Sequence, residues 1–189
     1  GPYTTWPADA VENAMNRGMA HAGAQVSLSG SLMENLDTME SAGWGYSGWK
    51  SRWSESQGWS TDLGNPRLYL VAFGYHHPLM ALIDPMSLQL QVELHREAVK
   101  RRFGVDPGVG MFPPECAFSP RMIPALQAAG IEWIMVDSIH FERAHVDYPY
   151  SSGSNLVPPN GADQWNDHST DWVSLNNIWA PSPVAAPWG

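Results

Sequence analysis

The uninterrupted apolar run Leu68-Tyr69-Leu70-Val71-Ala72-Phe73 places the tightest constraint on what this chain can fold into. A strand with one wet face alternates apolar and polar side chains. A run without alternation belongs in a sheet covered on both faces, as parallel sheets are. The segment after it completes half of a strand–helix unit. Gly74-Tyr75-His76-His77-Pro78 breaks the strand, and Asp84-Pro85 then starts a helix, with Asp84 as cap and Pro85 at the first helical position. Leu88, Val92, Val99 and Phe103 share one face of this helix and Gly104 stops it, while His95 is expected at its surface or edge.

The same rhythm recurs on either side. A helix is predicted from Pro7-Ala8-Asp9 onward, with Val11, Met15, Met19 and Ala22 at helical spacing and Gly23 as its end. Residues 24–28 alternate as a short strand should, and Ser29 or Ser31 caps a helix carrying Leu32, Met33, Leu36 and Met39. Residues 109–112 form the next strand. Ser119-Pro120 opens another helix, with Ile123 and Leu126 inward and Gly130 at its close. Residues 131–136 form one more strand, ending at Asp137. Strands alternating with helices imply right-handed βαβ units and a parallel sheet, hence an α/β fold. Residues 43–66, rich in Trp, Gly and Ser, read as an ordered loop with a short helix, and loops of this length tend to be functional. From residue 146 to 189 the chain becomes a Pro- and Gly-rich irregular tail, within what is otherwise one catalytic-type domain over 1–189.

Composition narrows the possible partners. The 189 residues carry a net charge of -9, with 19 acidic residues against 10 basic ones. No basic surface is available for phosphates, so no nucleic-acid partner is expected. No apolar stretch is long enough to cross a membrane. The single Cys116 excludes an internal disulfide, and with no signal peptide evident a cytoplasmic location is expected. Gly1-Pro2 has the look of a pair left by removal of a tag. Ten Trp suit a carbohydrate partner, because indole rings stack on the apolar faces of sugars; they equally suit core packing. An oligo- or polysaccharide partner fits this balance, and the oligomeric state is left open.

Polar residues gather where three successive strands end: His76 and His77, then Glu115, then Asp137. In parallel α/β folds the C-terminal strand ends share one edge, where chemistry is placed. Glu115 follows Phe112-Pro113-Pro114 directly. Its structural alternative is to cap the helix that starts near Ser119.

Three segments together resemble glycoside hydrolase family 57, within the wider glycoside hydrolase/deacetylase barrel group. The first runs from Val26 to Leu36 and includes Ser29-Gly30-Ser31. The second is Tyr75-His76-His77-Pro78 through Ile83, similar to a Tyr-x-His-Pro segment. The third is Gly110 to Ser119, followed by Ala129-Gly130-Ile131-Glu132-Trp133. The match covers roughly residues 24–140. Phe112 stands where the family pattern Trp-x-Pro-Glu-x-Ala has Trp, and the His-Gln-Pro motif of the family's start is absent.

The resemblance implies a partial or incomplete (β/α)7-type barrel acting on α-glucans, as a retaining glycoside hydrolase or a 4-alpha-glucanotransferase-like domain. It implies Glu115 as nucleophile and His77 within the substrate pocket, with His76, Asp137, Trp44 and Trp49 expected around the sugar. No cofactor is implied. The acid/base Asp has no counterpart by flanking pattern, since Asp163, Asp167 and Asp171 lie in the tail without it. Two alternatives accompany this reading. Related deacetylases bind a divalent metal through His and Asp, which would make His76, His77, Asp137, His140 and His145 a metal site. A non-catalytic Trp-rich carbohydrate-binding module would instead use Trp44, Trp49, Trp53 and Trp59 as a stacking platform.

Overall fold

The computed structural model describes residues 1–136. Within them, β1 (Ala24–Val26) pairs in parallel with β2 (Leu68–Leu70), and β3 (Gly110–Met111) pairs in parallel with β4 (Trp133–Ile134). A parallel bridge between Ala72 and Met111 joins the two ladders, with Ala72 N–H donating to Gly110 O at 2.8 Å and Phe112 N–H to Ala72 O at 3.1 Å. The strands therefore lie side by side in chain order, all pointing the same way. The strands are shorter than the apolar runs that predict them. Backbone pairing lapses before the hydrophobic burial does: Val71, Ala72 and Phe73 remain buried beyond the end of β2.

Register shows which face meets the helices. Ala24, Val26, Leu68 and Leu70 lie on one side, and Gln25 and Tyr69 on the other. The first side packs against α1 (Trp6–Asn16), α2 (Gly30–Ser41) and α4 (Pro85–Phe103), through Ala8, Val11, Met33, Leu36, Val99 and Phe103. A second apolar cluster joins Ala72 and Met111 to Leu88 and Val92 of α4 and to Ala125 and Leu126 of α5 (Ile123–Ala128). On the opposite face Trp133 stacks on Tyr69, with ring centroids 6.2 Å apart. The indole lies across Gly110, where any Cβ would fall inside the ring. This is a close approach that only glycine permits.

The helix signals act as read. Ser29 Oγ accepts from Leu32 N–H at 3.2 Å, Asp84 accepts from Ser87 N–H at 2.9 Å, and Gly104 takes the left-handed conformation with φ +72°. The first helix ends earlier than its apolar spacing suggests. Gly18, at φ +76°, turns the chain left-handed, and Met19 N–H bonds back to Ala14 O at 3.1 Å, so Met19 and Ala22 fall outside the helix.

The tryptophan-rich segment holds the expected short helix, α3 (Ser51–Ser56). It sits against the C-terminal ends of α2 and α4. Trp49 and Trp53 both contact the Phe103 ring, at 5.8 and 6.1 Å. Asp37 of α2 accepts from Trp49 Nε1 at 3.2 Å, Lys50 Nζ at 2.9 Å and Arg102 Nε at 2.8 Å. Burial works to raise the Asp37 carboxyl, but the hydrogen bonds from Lys50 and Arg102 outweigh it and hold it below the ordinary carboxyl range. Arg67, just before β2, is buried and gives its guanidinium hydrogens to the carbonyls of Met19, Ala20, Ala22 and Ser60, while Trp59 O accepts from its N–H at 2.9 Å.

Candidate active site

Two chain reversals at neighbouring strand ends build the site. After β2, His77 N–H donates to Gly74 O at 3.1 Å, closing a tight turn. Gly74 has no room for a Cβ, since Pro78 Cδ would lie 2.8 Å and Pro114 Cγ 3.1 Å from it. The missing side chain lets the His-Pro turn press against the Pro-Pro segment after β3. That contact brings His77 Nε2 to 3.7 Å from Glu115 Oε1, with the two side chains 46% and 64% exposed. Both are open to a ligand arriving at the strand ends.

The backbone here is held in sparsely populated conformations. His77 and Glu115 both have φ of +58°, and Cys116 has φ of +52°. Left-handed conformation costs a residue with a Cβ about 1–2 kcal/mol. Such outliers concentrate where a side chain must be aimed rather than where the chain merely turns. Glu115 lies within a single 3-10 turn, Pro114–Cys116, so its carboxylate projects from the turn instead of capping the helix that begins near Ser119.

Aromatic packing supports the pair from below. The Phe73 ring lies 5.1 Å from the His77 ring and stacks on Phe112 at 6.2 Å. His76 is pinned through its backbone, its N–H donating to Gln91 Oε1 at 2.8 Å, and its ring meets Tyr75 edge-on at 4.7 Å. The Tyr75 hydroxyl donates to Glu34 of α2, and its ring crosses Gly30 where a Cβ would collide with it. Burial, with Glu34 second, pushes the Tyr75 hydroxyl up.

Of the residues expected from sequence the structure brings together His77 and Glu115, while the neighbouring His76 turns its ring to Tyr75. It does not bring the tryptophans. α2 and α4 each start beside a C-terminal strand end and run back along the sheet. Their C-terminal ends, against which Trp49 and Trp53 pack, therefore lie at the opposite edge from Glu115. Trp49 is 2% exposed, wedged in the core with its indole N–H held by Asp37, and offers no face to a sugar. Trp44 is exposed, but it follows the C-terminus of α2 directly, its N–H bonded to Met39 O at 2.9 Å, and shares that far edge. Hydrophobic burial and the half-buried Asp37 carboxylate, rather than a ligand, account for this cluster. Asp137, His140 and His145 lie outside the described residues, as does the tail from 146 to 189. Among the described residues no three His, Cys, Asp or Glu side chains are grouped to hold a metal ion.

Sequence reasoning missed His95. It lies on the inward face of α4 and is 1% exposed, not at a surface or edge. Its Nε2 is 2.7 Å from Leu28 O, and its Nδ1 accepts from Phe73 N–H at 3.3 Å. Burial, with the positive charge of Arg96 adding, outweighs the Leu28 carbonyl and pushes the imidazole down to about 4. One signal was available: a polar residue three after Val92 and four before Val99, on the apolar stripe itself.

The sequence matches the family model described as Glycosyl hydrolase family 57 over residues 4–161. The chain belongs to glycosyl hydrolase family 57. An alpha-amylase of Niallia circulans is 29% identical over 197 residues, covering 97% of this chain and 15% of that protein. A 4-alpha-glucanotransferase of Thermococcus litoralis is 31% identical over 78 residues, 41% of this chain and 12% of that protein. The crystal structure of 4-alpha-glucanotransferase from Thermococcus litoralis superposes with a TM-score of 0.56 at 21% identity, over 76% of this chain and 20% of that one. A GH57-type branching enzyme from Pyrococcus horikoshii gives 0.51 at 16% identity, over 76% of this chain and 37% of that one. These superpositions bear on the fold and agree with its α/β character. This family 57 chain spans a small part of the length of the curated relatives it matches. Among its described residues no helix is long and apolar enough to cross a membrane.

Proposed function

We propose that this chain carries the nucleophile-bearing part of a retaining α-glucan site, in a hydrolase or 4-alpha-glucanotransferase-like protein, with Glu115 as the nucleophile. The observation that carries the reading is the meeting of two exposed side chains, His77 and Glu115, at adjacent C-terminal strand ends, each aimed by strained backbone. The parallel strands in chain order are read as one arc of an incomplete β/α barrel, whose mouth is the edge that holds this pair. The names of the relatives, alpha-amylase and 4-alpha-glucanotransferase, support an α-glucan as the substrate class.

In the first step a Glu115 carboxylate oxygen attacks the anomeric carbon. The bond from that carbon to the leaving oxygen breaks, and the leaving oxygen takes the electron pair and a proton from a second carboxyl. In the next step a water, or a sugar hydroxyl in the transfer case, gives its proton to that second group and displaces Glu115. Retention asks for the two carboxyls about 5 to 5.5 Å apart. The contact described for Glu115 is the His77 imidazole, so the acid/base is assigned to none of the described residues. His77 flanks the attacking carboxylate and orients it toward the sugar. This chemistry uses no metal or cofactor.

An α-glucosyl fluoride tests the reading, because fluoride leaves without a proton and the first step then depends on the nucleophile alone. Release of fluoride by the unaltered chain and a loss of at least about 10²-fold in E115Q is the expected result. Equal release by the two proteins would overturn the assignment.

A further inference from the structure

β1 and β2 part company in an orderly way. Val71 N–H donates to Val26 O at 3.0 Å. In a parallel ladder the next bond donated by this second strand would run from Phe73 N–H to Leu28 O, two residues on in each strand. That bond is replaced by a side chain. Phe73 N–H donates to His95 Nδ1 at 3.3 Å, and His95 Nε2 lies 2.7 Å from Leu28 O. An amide N–H can only donate and a carbonyl can only accept. The ring must therefore hold its hydrogen on Nε2 and its lone pair on Nδ1, a neutral tautomer dictated by its two partners. The imidazole is a spacer inserted into the sheet at the edge where the candidate site opens.

Resting on the reading of Glu115 given above, we propose that His95 is the positioning residue of this site: by standing in for the bond from Phe73 N–H to Leu28 O it splays the C-terminal ends of β1 and β2 and sets Phe73, whose ring holds His77 against Glu115. The steps are all in contact. The Phe73 backbone is fixed by His95, its ring lies 5.1 Å from His77 and 6.2 Å from Phe112, and Glu115 stands three residues past Phe112 and 3.7 Å from His77. An apolar residue in place of His95 would let the strands close into a direct bond or leave both backbone groups unpaired. Either outcome moves Phe73. A buried imidazole is an expensive choice for an inward helix position, where leucine would pack at no electrostatic cost. The expense is explained if the spacing itself is what the site requires.

The test compares H95Q with H95L. A glutamine amide presents one acceptor and one donor side by side and can bridge the same two groups; leucine fills the space and bridges neither. Two readouts are taken on each folded variant. The first is the nitrogen NMR spectrum of the histidine rings, with the His77 signals assigned by their loss in H77N. The expected result is His77 signals displaced in H95L and unmoved in H95Q. The second is turnover of α-glucosyl fluoride, where H95L loses about 10²-fold in kcat with little change in KM and H95Q keeps most of it, as expected for a misplacement near 1 Å. If H95L does not fold, H95N, too short to reach both groups, takes its place.

Unmoved His77 signals in folded H95L or H95N would overturn the proposal whatever the activity. So would equal losses in kcat for H95Q and H95L. If instead E115Q retains full turnover while His77 still responds to His95, the nucleophile assignment falls and the positioning of His77 by His95 stands.

Discussion

His77 and Glu115 face each other across 3.7 Å from consecutive strand ends, and each does so from a left-handed backbone. Neither residue type prefers that conformation, so the surrounding structure imposes it. The Gly74–Pro114 contact and the Phe73 ring supply the constraint.

Replacing His77 with Asn separates the imidazole's role from the backbone's. Asn tolerates the left-handed region and should keep the turn closed to Gly74. We expect thermal unfolding within a few degrees of the unaltered chain and turnover of α-glucosyl fluoride lowered by about 10-fold or more. Turnover at the original level in H77N would remove His77 from the site.

Gly110→Ala tests the aromatic face of the sheet. The added methyl would sit inside the indole of Trp133, which must swing off Tyr69. Forced repacking of this kind costs about 1–3 kcal/mol. Urea unfolding should show that loss together with a change in near-ultraviolet circular dichroism from the separated rings. A variant as stable as the original would mean that the stack is not as tight as described.

Asp37→Asn removes the carboxylate that gathers Trp49, Lys50 and Arg102. Because the folded-state carboxyl is held below its ordinary 3.8, its contribution is fully present above that value and is lost as pH falls through the depressed folded-state value. The variant should unfold several degrees lower at pH 7, and the gap should narrow on acidification below about pH 3.8. A gap independent of pH would point to lost packing instead of lost charge pairing.

His95 makes the fold sensitive to milder acid. Its imidazole is pushed from 6.5 down to about 4, so the unfolded chain takes up a proton that the folded chain refuses. Stability from this group is complete above pH 6.5, falls as pH drops below it, and is exhausted near pH 4. At about 1.4 kcal/mol per pH unit the whole interval amounts to roughly 3 kcal/mol. Denaturant unfolding between pH 7 and pH 4 should show this slope in the original chain and lose it in H95Q. An equal slope in both would assign the acid sensitivity to other groups.

The sequence by itself determined the elements and their order. The apolar run at 68–73, the Asp84-Pro85 start, the Gly104 stop and the alternation of strand with helix are local signals. They work because burial on both faces, capping and left-handed glycine are decided within a few residues. It also placed His77 and Glu115 at neighbouring strand ends, since parallel topology sends successive strand ends to one edge.

Only the tertiary structure decided the fates of Trp49 and His95. Composition marks an indole as suited either to a sugar or to a core, and what chose the core was the C-terminal ends of α2 and α4 closing around it at the far edge of the sheet. A histidine on a helix reads as surface until the strands behind it are known to leave an N–H and a carbonyl unpaired. Those two groups lie 67 and 22 residues away along the chain, at Leu28 and Phe73, and no local pattern encodes a meeting over that distance.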